Sequence, residues 1–165
     1  MRSSVAIAAL AAALAAAGPA AAQNKSVKIG SLSDQSSLYS DIGGPGSTVA
    51  AQMAVEDSGL TGKGWKIDVI SADHQNKPDV GTAIARQWFD VDKVDVIVDV
   101  PNSGVALAVN NVVKDKNKVF LNSGAGTSDL TNKACTPNTI HWTYDTYALA
   151  NGTGTALTKS GGDTW

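Results

Sequence analysis

Ser103 and the run Ser123–Thr127 are the residues of this 165-residue chain best suited to chemistry. That chemistry is hydrogen bonding to an anion. Ser103 sits in Pro101-Asn102-Ser103-Gly104, between an apolar strand-like run and a helical pattern. Gly124, Ala125 and Thr127 belong to Asn122-Ser123-Gly124-Ala125-Gly126-Thr127-Ser128, which follows the next apolar run. Hydroxyls and free backbone amides are the usual vocabulary for holding a carboxylate, with apolar contacts alongside. Two further segments add side chains of that kind: Ser33–Tyr39, with Ser37, Leu38 and Tyr39, and Thr143-Tyr144-Asp145. Each has a plainer reading as well, since Ser103 and Asp145 can simply cap helices and the glycines can simply turn the chain.

The motifs of catalysis are not met. Gly124-Ala125-Gly126 lacks the third glycine of a dinucleotide loop, and Gly43-Gly44-Pro45-Gly46 begins some ten residues after the first strand. Neither a phosphate loop ending in Gly-Lys-Ser/Thr nor a Gly-x-Ser-x-Gly elbow occurs. His74 and His141 have no ligand-spaced partner, so the sequence predicts no metal site and no cofactor. His74, beside Asp73, reads as a solvated strand end. Trp65, Trp88 and Trp142 read as packing residues, Trp142 lying near the loops just described.

The elements that must position these loops follow from periodicity. Strand patterns fall at Val27–Leu32, Trp65–Ser71, Asp95–Val100, Lys118–Leu121 and Thr139–Trp142. The third is nearly all apolar, as a strand buried on both faces should be. Helical patterns lie between them, at Ser47–Ser58, Pro78–Asp92, Ser103–Lys116 and roughly 144–159. In the third helix Val105, Ala108, Val109, Val112 and Val113 recur at three- and four-residue steps. Pro78 suits a first helical turn, while Gly59 and Gly161 suit helix ends. Alternation of this kind predicts an α/β fold, an open parallel sheet with helices on both faces and right-handed crossovers. In such sheets ligands bind at the carboxyl ends of the strands, the edge where the polar loops fall.

Composition sets the compartment and excludes partners. Arg2, the apolar run Val5–Ala17, the Gly18-Pro19 break and Ala20-Ala21-Ala22 form a cleavable export signal, residues 1–22, with cleavage before Gln23. The run is well short of the roughly 20 residues a membrane span requires. Arg2 is the only charged residue of the signal, so the remainder is more acidic than the whole chain, whose net charge is −2. With only isolated lysines, nucleic acid is not an expected partner. Cys135 is the one cysteine; an odd thiol in an exported protein implies either a buried inert group or a partner elsewhere. Residues 23–165 suit one domain, and Asp163-Thr164-Trp165 reads as the opening of a further strand, so a fragment of a longer protein is expected.

Four stretches in order carry a resemblance: VKIGSLSDQSSLYSDIGGPGSTVAAQMAVED, VPNSGVALAVNNV, LNSGAGTSDLT and HWTYDTYALANGTGTAL. With them the chain resembles the N-terminal half of periplasmic solute-binding proteins of ABC transporters, in the branched-chain amino-acid (leucine/isoleucine/valine) binding family. The resemblance implies the first lobe of a type I periplasmic binding fold, a missing second lobe, a hinge, and delivery of a small carboxylate to a membrane permease. It also implies a carboxylate held by Ser103 and by the Gly124, Ala125 and Thr127 segment; the loops themselves add Asn102 and Tyr144 to the expected site, and Tyr39 as an apolar wall. Asp145 matches an aspartate that opens the next helix. The fourth-strand loop departs from the amino-acid binders, reading Ser-Gly-Ala-Gly-Thr where they more often read Pro-Gly/Ala-Ala-Thr. With the Leu38-Tyr39 loop, that departure points to a subgroup taking aromatic or other organic acids. The alternative reading is the extracellular sensing domain of a signalling receptor.

Overall fold

A computed structural model describes residues 25–164; the export signal read at 1–22 lies outside them. Five strands, β1 (Ser26–Ser33), β2 (Lys66–Asp73), β3 (Val96–Asp99), β4 (Val119–Asn122) and β5 (Thr139–His141), form one sheet in the order β2-β1-β3-β4-β5. Every pairing is parallel. β1 runs beside β2 from Ser26↔Lys66 to Ser33↔Asp73, and beside β3 from Ile29↔Val96 to Leu32↔Asp99. The strand order therefore reverses between β1 and β3. A crevice opens at such a switch point, outside the carboxyl ends of the strands.

The sheet's two faces differ. On one, α2 (Pro78–Gln87) and α3 (Ser103–Asp115) pack together over Leu32, Ile97 and Phe120, all fully buried. Val105, Val109, Val112 and Val113 of α3 complete that core, as the helical spacing predicts. Each large apolar side chain buried there contributes about 1.5–3 kcal/mol. Trp88 joins the core through Gly30, where a Cβ would overlap the indole ring. The predicted helix to Asp92 ends in a π-turn, Trp88–Asp92, closed by Lys93 at φ +59°.

On the other face lies α1 (Gly44–Asp57), which begins at Gly44 rather than at Ser47 because Pro45 fits its first turn. Between α1 and the sheet runs a groove of about 690 Å³, floored by Ile29, Ile67, Val98 and Leu121 and reaching Trp142. The last helical stretch starts at Thr146, after the Asp145 cap, and not at Tyr144. α4 (Thr146–Leu149) passes through a π-turn (Ala150–Gly154) into α5 (Thr155–Lys159), and none of the three segments buries a residue. Cys135 is exposed, which removes the buried reading of that thiol.

Candidate ligand-binding site

Five segments leave the carboxyl edge, and three of them, those after β1, β3 and β4, meet at the end of β3. There the backbone does something costly. Asp99 and Val100 take φ of +76° and +60°, a left-handed conformation that a β-branched residue rarely adopts. Each such residue costs on the order of 1–3 kcal/mol and persists only where its surroundings over-determine it. Here Asn122, buried at the end of β4, supplies the constraint. Its Nδ2 donates to the carbonyls of Asp99 (2.8 Å) and Val100 (3.1 Å), and its Oδ1 accepts from the Ala125 amide (3.0 Å). Val100 N–H donates to Leu32 O at 3.0 Å, locking the turn to β1.

The turn delivers the chain to α3. Asn102 is the residue that caps this helix, its Oδ1 accepting from Val105 N–H at 2.9 Å. Ser103 is therefore not the cap but the first helical residue, half-buried at the edge. This releases its hydroxyl from the capping role, and the first-turn amides around it suit an anion. Gly124 closes against the same turn. A side chain there would come within 2.9 Å of Pro101 Cα and 2.8 Å of Asp99 Oδ1.

The loop after β4 also meets the segment after β5. Tyr144 lies over Gly126, and its hydroxyl makes a long 3.5 Å contact to Gly124 O. Thr146 N–H donates to Gly126 O (2.7 Å), and His141 Nε2 meets Ala125 O at 2.6 Å. Asp145 caps α4 as read from sequence, accepting from Ala148 N–H at 2.7 Å. Two expected donors are placed differently. The Ala125 amide is spent on Asn122, with the residue fully buried, so it is not a free donor. Thr127 Oγ1 accepts from Asp129 N–H (3.2 Å) at the start of the short 3₁₀ helix Ser128–Thr131, keeping its own proton to offer.

The β1 loop is organised around two carboxylates. Asp34, fully buried, accepts from Ser37 N–H (2.9 Å), Ser37 Oγ–H (2.6 Å) and Tyr39 N–H (2.8 Å). Asp73, ending β2, accepts from Gln35 N–H (3.0 Å), from the Ser36 hydroxyl and from Gln75 N–H (2.7 Å). Burial pushes both carboxyls up, but these donors together outweigh it and hold both below the ordinary value. Ser37 therefore spends its hydroxyl on shaping the loop. Leu38 stands exposed at the tip, and Tyr39 is half-buried behind it. Hydrogen bonds from this half of the loop run to Asp34 and Asp73; only its far end, at Gly43, meets Asp99 and Pro101.

His74 corrects the sequence reading. It is fully buried and not a solvated strand end, because the turn after β2 folds α2 over it. Its Nδ1 accepts from Asn76 N–H (3.0 Å), and burial lowers the pKa of the ring against the opposing pull of Asp34 and Asp73. Sequence reasoning missed Asp34, Asp99 and Asn122. The available signal was a polar residue at the last position of a short apolar strand, in VIVD and VFLN.

A prediction follows for Asp34. Its pKa is lowered on folding, so its stabilisation is present above about pH 4 and lost as pH falls through the folded value. Asp34→Ala leaves two loop amides without an acceptor and is expected to cost about 2 kcal/mol at pH 7. In urea denaturation, that difference should shrink towards pH 2.

The domain is thus a doubly wound parallel α/β unit with hydrogen-bonding loops at the carboxyl edge of its sheet. Residues 26–165 match the model of the periplasmic binding protein family, and the chain belongs to that family. It is similar to a periplasmic binding protein of Burkholderia mallei, with 50% identity and a TM-score of 0.79 over 86% of this chain and 38% of that one. A branched-chain amino-acid ABC transporter periplasmic ligand-binding protein of Burkholderia xenovorans is 42% identical, with a TM-score of 0.75 over 84% of this chain and 37% of its own. A solute-binding protein of an R. palustris ABC transporter, in complex with benzoate, shares the fold at 23% identity and a TM-score of 0.71, over 82% of this chain and 38% of that one. The chain thus spans under two-fifths of the length of these relatives. No curated protein matches it.

Proposed function

We propose that this chain is the first lobe of an extracytoplasmic solute receptor that hands a small carboxylate to the permease of an ABC transporter. The observation that carries the reading is the meeting of the β3 turn and the β4 loop beside the switch point, with Tyr144 over the β4 loop, in a chain of the periplasmic binding family. In this reading residues 1–22 export the protein to the periplasm, and a second lobe closes over the ligand from the other side. The carboxylate sits against the first turn of α3, taking the Ser103 hydroxyl and first-turn amides, with Thr127 as a second hydroxyl donor. Tyr144 and Tyr39 supply apolar walls.

Two ligand classes are supported by likeness. One relative is named for branched-chain amino acids, and a more distant neighbour holds benzoate. The exposed Leu38 and the ring of Tyr144 favour an apolar body behind the carboxylate. Thermal shift of the whole protein against leucine, benzoate and succinate tests the reading. A ligand at about 100 times its dissociation constant stabilises the folded state by roughly 2.7 kcal/mol. A shift with leucine or benzoate supports the receptor and names its class; none with any of the three, for folded protein stripped of ligand, overturns the carboxylate. Ser103→Ala is expected to weaken the binding found by about 1–3 kcal/mol, the scale of a hydrogen bond to a charged group. Calorimetry giving an unchanged affinity removes Ser103 from the site.

A further inference from the structure

Asp99 is a buried polar group that the ligand contacts proposed above do not use. It is 7% exposed, its Oδ1 receives a long 3.5 Å bond from Ser123 Oγ, and its Oδ2 is buried with no partner. The Ser47 hydroxyl flanks Oδ2 off hydrogen-bond geometry. Both atoms lie where a Gly43 side chain would sit, 3.1 Å and 3.4 Å from its Cβ position. So one carboxyl stands between the first turn of α1 and the β4 loop, the two walls of the switch-point crevice. Glycine on either side, at 43 and 124, makes room for it.

We propose that Asp99 is the positioning residue of the binding edge: as the neutral acid it donates from Oδ2 to Ser47 and accepts at Oδ1 from Ser123, fastening α1 to the β4 loop. The proposal rests on the receptor reading for its consequence, not for its chemistry. As a carboxylate, Asp99 would be a buried charge with no cation beside it and only the Ser47 and Ser123 hydroxyls near enough to serve as donors, a costly arrangement. As an acid it becomes a donor beside an acceptor. The groups facing it are Ser47 of α1, Gly43 of the β1 loop, Pro101 after β3, and Ser123 and Gly124 of the β4 loop, none of them charged. Burial pushes the Asp99 carboxyl up, and the two serine hydroxyls pull it back only in part. A neutral Asp99 also keeps a fixed negative charge away from the edge where an anionic ligand is received.

The sign of the pH effect is fixed by this state. A carboxyl whose pKa rises on folding lends stability that is complete below about pH 4 and lost as pH climbs through the folded value. Binding of an anion favours the same protonated form, so affinity should fall over the same window.

Three measurements on the whole protein test the proposal. In carbon-detected NMR the Asp99 carboxyl should titrate above the other aspartates; titration with them, below about pH 4, overturns it. In urea, Asp99→Asn, which keeps a donor and an acceptor, should gain stability over the wild type as pH rises from about 4 to 8. Asp99→Leu should lose stability at every pH. Parallel curves for wild type and Asp99→Asn overturn the acid. With benzoate and leucine as probes, wild-type affinity should fall by up to about tenfold per pH unit above the Asp99 pKa, while Asp99→Asn stays flat. An Asp99→Asn protein that is folded but has lost binding overturns the role. If the wild type binds neither probe, the receptor reading fails, and the NMR and urea arms still decide the state of Asp99.

Discussion

Asn122→Ala is expected to destabilise the domain by about 3–5 kcal/mol and to abolish ligand binding with it. The figure comes from what the amide holds. Its Nδ2 satisfies two carbonyls and its Oδ1 one amide, all buried. Each orphaned buried group costs about 1–3 kcal/mol. The same bonds over-determine the left-handed pair Asp99-Val100. Without them that strain has an outlet, and the turn that aims Pro101, Asn102 and Ser103 at the crevice relaxes. Urea denaturation followed by tryptophan fluorescence gives the first quantity, and calorimetric titration of the whole protein gives the second. Asn122→Asp is the informative control: it keeps the acceptor for Ala125 and loses the donor to both carbonyls. An Asn122→Ala variant within 1 kcal/mol of the wild type would mean that the turn is held by other contacts.

Gly124→Val should have the next largest effect, about 3 kcal/mol in stability and a loss of affinity of at least about 100-fold. Even a Cβ would meet Pro101 Cα at 2.9 Å, and backbone cannot step aside as a flexible side chain can. Overpacking of this kind usually costs 1–3 kcal/mol, and a branched residue stands at the top of that range. The displaced atoms are those of the β3 turn and Asp99, so the damage falls on the binding edge. Gly126→Ala is the matched comparison, because its Cβ would lie an ordinary 3.5 Å from the Tyr144 ring. That variant should fold and bind almost as the wild type does. Equal losses at 124 and 126 would refute an argument from geometry.

The strands and the main helices were legible in the sequence because each is dictated by local patterning. Apolar runs marked β1, β3 and β4, and the recurrence of valines marked α3. The edge on which the polar loops fall followed from the parallel topology alone. Boundaries moved where a single residue's chemistry outranked periodicity: Pro45 started α1 early, the Asp145 cap started α4 late, and the glycines at 152 and 154 sit in a π-turn.

The sequence by itself determined the fold class and the loops that could meet a ligand, since strand and helix periods are properties of neighbours along the chain. Tertiary structure alone decided which polar groups in those loops are free. Ala125 loses its amide to a side chain three residues back, Ser37 loses its hydroxyl to Asp34, and Asn102 takes the cap that leaves Ser103 available. His74 lies between polar residues in sequence and Asp99 is itself polar, yet both are buried in space, because strands distant along the chain bring helices over them. A hydrogen-bonding side chain has the same name whether or not its donor is spent. Only the packing of β3 beside β1 and β4 fixes who receives the bond.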